Sequence, residues 1–158
     1  MSTLSTAQVW RELAKASFAV VSYVTPAGEP RSSGVVYGTL RRRLYIAVAA
    51  DSWKARHIAA SGRVSVTVPI RRGGVLSLAV PIPPATVSFQ ATATVHPAGS
   101  AEALSRAKEI GALLPPERRA SASVIEVVPK GEFVVYGLGV SLMDMRIPAL
   151  ARARVPAV

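Results

Sequence analysis

The sequence predicts a mainly β (α+β) fold, a small antiparallel β-barrel with two to four short helices. Six or seven segments alternate apolar and polar residues with the period of two that half-buried strands show. Most of these segments follow one another through short turns, as antiparallel neighbours do. Two other segments carry apolar residues at helical spacing. A chain of 158 residues can bury a core of its own, so we expect a single domain.

The chain opens with a predicted helix. Ser5 is followed three residues later by Gln8, which is the spacing of a capping box. The residues after Ser5 repeat apolar side chains at helical spacing. We expect this helix to lie across one end of the barrel, on an apolar stripe formed by Val9, Trp10, Leu13 and Ala16.

Three strands are predicted next. Residues 18–24 and 31–37 form a hairpin around a turn that carries Pro26 and a glycine. A third strand covers residues 44–48. The turn before it holds three arginines, Arg41 to Arg43, where Gly or Asp is usual.

The stretch from 44 to 69 is the part around which the other segments are organised. It predicts a strand, a sharp turn, one short helix and a second strand. Asp51 or Ser52 is expected to cap the start of the helix, and Gly62 is expected to follow its last turn.

The start of this short helix has the composition of an anion-binding site. Free backbone N–H groups and the helix dipole favour a negative charge there. The nearby Ser52, Lys54 and Arg56 therefore predict a phosphate-binding site. The alternative interpretation is that the two basic side chains are ordinary solvated charges and that His57 is a structural helix residue.

The second half of the chain contains further strands, one helix and a less regular tail. The apolar, proline-rich segment 75–84 fits neither a helix nor an inner strand, and we expect it to fold over a site or a partner. Residues 144–158 are expected to form an irregular C-terminal tail beyond the domain at 1–143. The remaining predictions are a strand at 85–96, a helix at 100–114, and strands at 123–128 and 132–142 joined by a turn at Pro129-Lys130-Gly131.

Composition excludes several classes of function. The chain has no cysteine, so thiol catalysis and cysteine-ligated metals are excluded. Its two histidines lie far apart in the sequence, so a zinc or iron site is not expected. No signal peptide is recognisable, so a cytoplasmic location is expected. Prolines at 81, 83 and 84 interrupt the uncharged stretch 73–101, so no membrane span is expected.

The net charge of +10 is compatible with solvated loop arginines or with an anionic partner. A phosphorylated cofactor suits that charge. Binding of nucleic acid remains a remote alternative, because the chain lacks an RNA-binding aromatic strand, a recognition helix and a zinc finger.

The central stretch resembles a known family. Its order of strand, Ser52-x-Lys54, helix and a strand reading RVSVTV is similar to the pyridoxamine 5′-phosphate oxidase-like proteins, the flavin-binding split-barrel family. The resemblance covers residues 16–70 well and the remainder loosely. It implies a split β-barrel in which Ser52 and Lys54 hold the phosphate of a flavin.

The same resemblance implies further contacts with the flavin. The strand PRSSGVVYG matches one whose Arg and neighbouring groups contact the cofactor, which indicates Arg31 and Ser33. Gln90 occupies a position where the family often has a Gln near the ring; the alternative is an exposed strand residue. Trp53 and Val48 stand where the oxidases themselves have an Arg and a Thr. The C-terminal substrate-closing signature of those oxidases is absent, so their own reaction is not expected.

These observations predict a flavin-dependent oxidoreductase that binds FMN, or the deazaflavin F420, at the interface of a homodimer. No paired carboxylates or nucleophile signature are present, and in such relatives the ring itself carries the hydride chemistry. A flavin-binding module without turnover is the alternative. FMN is favoured by the broader family, whereas F420 requires a basic track, for which Arg56, Arg31 and the turn at 41–43 are the candidates. The exposed apolar segment 75–84 independently favours a dimer.

Overall fold

The computed structural model describes residues 3–111 and 114–158, and these contain seven antiparallel strands in one sheet. β3 pairs with β6 as well as with β2, so six strands close into a barrel and the seventh lies outside it along β6. The predicted antiparallel barrel is therefore confirmed. The strands are β1 (Phe18–Val24), β2 (Pro30–Leu40), β3 (Arg43–Ala49), β4 (Arg63–Ile70), β5 (Ala85–His96), β6 (Ala122–Tyr136) and β7 (Arg152–Pro156).

The described residues form five α-helices, one more than the upper end of the prediction. The extra elements are single turns that begin with proline, and four residues are too few to show a helical period. Short 3-10 helices cover Gly74–Leu78 and Asp144–Arg146. The α-helices are α1 (Thr6–Lys15), α2 (Trp53–Ser61), α3 (Ala101–Ile110), α4 (Pro116–Arg119) and α5 (Pro148–Ala151).

The two ends of the barrel are covered by different helices. α1 begins with the predicted capping box of Ser5 and Gln8 and buries Leu13, whose carbonyl accepts a 2.7 Å hydrogen bond from the Tyr37 hydroxyl. α2 follows β3 and precedes β4, so it lies at the opposite end, where it buries Ile58 in the same core. Between the helices the barrel is filled mainly by small β-branched residues and by Phe133.

The turn between β2 and β3 contains two residues in the left-handed region. Arg41 and Arg42 have φ angles of 50° and 57°, and Leu40 pairs with Arg43 across the turn. Two-residue hairpins of this kind normally use Asn and Gly, because a Cβ makes positive φ costly. The predicted turn is present, and its backbone conformation is unfavourable for arginine.

The hairpin predicted at Pro129-Lys130-Gly131 is wrong, because β6 runs through it as one strand. Pro129 and Lys130 pair regularly with Ala91 and Gln90, and a bulge follows them at residues 131–133. Lys130 pairs with Gln90, and the next regular pair joins Val134 to Ser88. Between these pairs β6 advances by four residues while β5 advances by two, so β6 carries the extra residues. Turn residues at a bulge look the same in sequence as turn residues in a hairpin. The bulge lets β6 pair with β3 in its first half and with β7 in its second.

The prediction of an irregular tail at 144–158 is also wrong. Within it, β7 pairs with β6 from Glu132–Pro156 to Tyr136–Arg152. Val155 is buried, and the Trp10 indole N–H donates to the Ala157 carbonyl at 3.2 Å. The alternating arginines face outward along a short strand and do not form a free arm.

The predicted helix at 100–114 ends earlier than expected. α3 stops at Ile110, and Gly111 follows with a φ of 66°, which ends the helix. Residues 112 and 113 of that prediction lie outside the described residues. Among the residues that are described, no helix is long and apolar enough to cross a membrane.

Candidate phosphate-binding site at the start of helix α2

The start of α2 leaves several hydrogen-bonding groups uncommitted. Ser52 is the N-cap, with extended backbone angles, and its hydroxyl makes no capping hydrogen bond. The Arg56 N–H donates to the Ser52 carbonyl at 3.2 Å, which starts the helical hydrogen bonds. The N–H groups of residues 53–55 come before that bond and have no helical acceptor. One hydroxyl and a set of parallel N–H groups are therefore free to bind an anion.

Lys54 adds a positive charge to these groups. Its side chain is partly buried, and burial lowers the pKa of its ammonium below the ordinary value. Within residues 3–111 and 114–158 no ion pair involves Lys54. An anion placed beside it would stabilise the charged form that burial disfavours, so the residues present fit a phosphate.

Trp53 and Arg56 form a second feature of the same turn. The guanidinium carbon of Arg56 lies 4.9 Å from the centroid of the Trp53 ring, within the range of cation–π contacts. Trp53 itself is 68% exposed. The pair places a positive charge and a flat apolar surface next to the helix start.

His57 was not predicted as a site residue. Its ring lies 5.8 Å from Trp53 and 5.9 Å from Tyr23 on β1. Nδ1 is buried and has no hydrogen-bond partner among the described residues. No sequence pattern could reveal this, because it depends on how α2 packs against β1.

Arg31, Ser33 and Val48 lie at the end of the barrel that α2 covers. β2 and β3 pair only from Tyr37–Ile46 to the turn, so they separate before Val48 is reached. Val48 pairs with β6 instead. Arg31 is exposed, and its guanidinium donates to Glu29 at 2.7 Å. The structure thus gathers Val48, Ser52, Trp53, Lys54 and Arg56 along one β3–α2 segment, with Arg31 and Ser33 at the same end.

Gln90 lies on a different surface. It is exposed on the outer face of β5, between Ser65 on β4 and Lys130 on β6. It lines a depression of ≈ 570 Å³ that also includes Ser61, the last residue of α2. Nine helical residues span ~13 Å, so Gln90 is near the C-terminal end of α2 and not near the phosphate-binding groups. Lys130 was missed as a neighbour of Gln90 because its segment was assigned to a turn.

The turn at Arg41–Arg43, predicted to extend a basic track that includes Arg56 and Arg31, does not lie beside Lys54. Those arginines lie at the start of β3, and α2 follows its end; seven strand residues span ~23 Å. Arg43 is moreover committed to Glu126 on β6, to which it donates a hydrogen bond. The sequence places charges along the chain but does not show which end of the barrel each one occupies.

Glu126 is the centre of a polar cluster that sequence reasoning missed. It lies on β6 and accepts hydrogen bonds from Arg43, from His96 at 2.8 Å and from the Tyr45 hydroxyl at 3.3 Å. Burial alone would raise its pKa, but the hydrogen bonds from His96 and Arg43, with the charge of Arg43, lower it. A lone Glu inside the apolar run SVIEVV was the available signal.

The model of the family described as pyridoxamine 5′-phosphate oxidase matches residues 5–135. The chain belongs to the pyridoxamine 5′-phosphate oxidase family. The match extends from α1 through nearly all of β6, so it includes α2 and Gln90. Among curated proteins, none matches the sequence.

Solved structures of differently named proteins share the fold. The haem storage protein HutZ from Vibrio cholerae is 13% identical, with a TM-score of 0.67 over 86% of this chain and 98% of its own. A FAD-binding protein from Mesorhizobium loti is 16% identical, with a TM-score of 0.64 over 82% and 92%. A protein named F420 reductase is 20% identical, with a TM-score of 0.56 over 78% and 93%. At these identities the likeness concerns the fold.

Proposed function

We propose that this family member binds FMN and acts as a flavin-dependent oxidoreductase, with a cofactor site shared between two copies of the chain. The observation that carries the proposal is the start of α2. Its first turn contains the Ser52 hydroxyl, which caps no N–H group, the N–H groups without a helical acceptor, and the partly buried Lys54, which forms no ion pair with the described residues. A phosphate is the anion that such a helix start binds best.

Each of these groups has a distinct role in the proposed site. The Ser52 hydroxyl and the N–H groups of residues 53–55 donate hydrogen bonds to phosphate oxygens, and Lys54 neutralises charge. Trp53, with Arg56 against its face, provides a flat wall beside them. When bound, FMN supplies hydride transfer through its ring system. The protein's own contribution is to fix the cofactor and to exclude water from it.

The position of Gln90 supports a shared site. Gln90 faces outward near the C-terminal end of α2, whereas Lys54 lies in the first turn of that helix. Gln90 lines two surface depressions, and each contains an exposed apolar residue. Val24 lies in one of them and Val134 in the other. Covering this outer face with a second copy buries those side chains and brings Gln90 to the partner's cofactor.

FMN is favoured over F420 by the distribution of charge around α2. F420 carries additional negative groups beyond its ring, which need a continuous basic surface. The turn at 41–43 lies at the other end of the barrel, and Arg31 is paired with Glu29. Arg56 is the remaining candidate for a basic surface near Lys54. A single arginine suits the one phosphate of FMN and not the longer charged tail of F420.

Mixing of two variants tests the shared site directly. Lys54→Ala and Gln90→Ala are each expected to weaken binding of FMN, measured by quenching of flavin fluorescence. If the site combines Lys54 of one copy with Gln90 of the other, mixed dimers contain one intact site, so about a quarter of all sites regain wild-type affinity. No regain after subunit exchange, with dimers shown by sedimentation, contradicts the sharing.

The oxidoreductase activity is tested separately. The FMN-loaded protein is expected to oxidise NADH or NADPH in the presence of an artificial electron acceptor. Tight FMN binding without any turnover would identify a non-catalytic binding module. Binding of F420 but not FMN would reverse the choice of cofactor.

A further inference from the structure

A groove lies between the end of α1 and the connection from β4 to β5, residues 71–84. Its volume is ≈ 770 Å³, within the ~300–1,000 Å³ of typical small-molecule sites. α1 forms one wall, the end of β4 forms the floor, and the connection forms the other wall. A neighbouring depression of ≈ 510 Å³ continues along α1 and shares Ile70, Arg71 and Arg72 with the groove.

Strand pairing does not require so long a connection. β4 and β5 stay paired as far as Ile70 and Ala85, so their ends are adjacent. The chain nevertheless inserts the whole segment 71–84 between them, whereas β2 and β3 are joined through Arg41 and Arg42 alone. Hairpin connections of ~12–15 residues are uncommon, and those that occur often form binding loops or lids.

The connection is held in a defined shape. Gly73 has a φ of 86°, and a Cβ at this position would collide with the side chain of Ile82 across the loop. Three prolines, at 81, 83 and 84, restrict the return to β5. The wall of the groove is therefore preformed, which lowers the entropy cost of binding a ligand.

One part of the groove is apolar and incompletely covered. Leu78 is 80% exposed and Phe18, at the start of β1, is 48% exposed. Ile82 and Pro84 lie in the same lining. An apolar ligand body would remove these surfaces from water, which is favourable in proportion to the area covered.

The other part of the groove carries excess positive charge. Glu12 is paired with Lys15 at 3.2 Å, so its charge is compensated. Arg71 is exposed and takes part in no ion pair among residues 3–111 and 114–158. Arg72 is anchored by a hydrogen bond to the Val140 carbonyl, while its Nε is buried without an acceptor in the described part of the chain. This arrangement favours a ligand with a negative head.

We propose that the groove binds a small amphipathic anion, a carboxylate on an extended apolar body, at a site separate from the cofactor site. The head lies at Arg71 and Arg72, and the body lies along Phe18, Leu78 and Ile82. The two sites are at opposite ends of the barrel, because Phe18 begins β1 whereas Tyr23, next to α2, is five residues or ~17 Å further along that strand. The proposal therefore does not depend on flavin binding.

Calorimetric titration of the full chain with dodecanoate, below its micelle concentration, tests the proposal. Saturable binding with one site per chain is expected, with no such binding of dodecyltrimethylammonium. Arg71→Gln and Leu78→Ser are each expected to weaken binding about tenfold or more. Both side chains are exposed, so neither change should impair folding.

Matched controls separate the groove from general surface effects. Val75→Ser removes an apolar side chain that is 83% exposed on the same connection but outside the groove lining, and Arg154→Gln removes a charge from β7. Both should leave the dissociation constant unchanged. Equal weakening by the controls, equal affinity for the cation, or no saturable binding overturns the proposal. A further result would also overturn it: the protein associates with anionic vesicles, the two groove variants abolish this association, and free dodecanoate does not bind. That result indicates binding to a membrane surface.

Discussion

The His96 ring donates a hydrogen bond through Nε2 to the Glu126 carboxylate at 2.8 Å, across the pairing of β5 with β6. Arg43 and Tyr45, both on β3, reach the same carboxylate from the other side. One nearly buried acid thus links three strands at the place where the barrel closes.

Replacing this acid should destabilise the fold. We expect Glu126→Gln to lower the free energy of unfolding at pH 7 by about 1.5–3 kcal/mol, the usual contribution of hydrogen bonds to a charged group. Urea unfolding measures it. Glu132→Gln, which breaks an exposed pair with Arg154, is the control and should cost less than about 1 kcal/mol. Equal effects of the two changes would contradict the importance of the cluster.

The same acid predicts how stability depends on pH. The pKa of Glu126 is lowered in the folded state from 4.5, so its contribution is complete above that value and is lost as the pH falls through the lower folded value. The stability difference between wild type and Glu126→Gln should therefore shrink on acidification below pH 4.5. A difference that stays constant into strong acid would show that the charge is not involved.

Lys54 predicts a loss of phosphate binding at alkaline pH. Its pKa is lowered by burial, so the ammonium loses its proton at a lower pH than an exposed lysine does. FMN affinity should therefore begin to decline at a pH below 10.5, the ordinary pKa of lysine. Lys54→Arg keeps its charge throughout and should flatten this profile. Parallel profiles for both proteins would remove Lys54 from the phosphate site.

The turn at Arg41 and Arg42 should be open to stabilisation. Both residues have positive φ, so the double change Arg41→Asn with Arg42→Gly should raise the free energy of unfolding by about 1 kcal/mol. Thermal and urea unfolding measure the gain. Arg41→Gln with Arg42→Gln removes the same two charges but keeps a Cβ at both positions, so it should not stabilise. A gain in both proteins would point to reduced charge repulsion and not to backbone strain.

The last strand should contribute to stability although it lies outside the closed barrel. Val155 is buried against the core, and Val155→Ala should cost about 2 kcal/mol. Its exposed neighbour provides the comparison, because Arg154→Ala should change stability by less than about 0.5 kcal/mol. If both changes had equally small effects on stability, the last strand would behave as a detached tail, which would contradict the prediction.

Sequence reasoning succeeded where the signal was local. Alternation predicted β1 to β5, the capping box fixed the start of α1, and Gly62 marked the end of α2 with a φ of 65°. It failed where a residue's meaning depends on distant pairing. Gly131 serves a bulge and not a hairpin, and Val155 gains its role only because β6 is there to pair with it.

The candidate site shows the same division. The helix that starts after Ser52 and carries Lys54 was predictable because its capping residues lie within a short stretch of sequence, whereas phosphate binding by Ser52 and Lys54 stays a prediction. Gln90 was predicted as a contact, but its position on the outer face, away from α2's first turn, required the barrel. His57 Nδ1 and the Glu126 cluster arise from packing between elements, which no spacing in the chain reveals.

The contact between α1 and the end of β7 has a consequence for folding. The Thr6 hydroxyl donates to the Pro156 carbonyl at 2.8 Å, and Trp10 donates to Ala157. α1 is synthesised before the barrel, whereas its hydrogen-bond acceptors at Pro156 and Ala157 are synthesised only after the six strands that close it. We therefore expect docking of α1 to be a late event after translation, and a chain stalled before residue 156 to expose the apolar face of its first helix to chaperones.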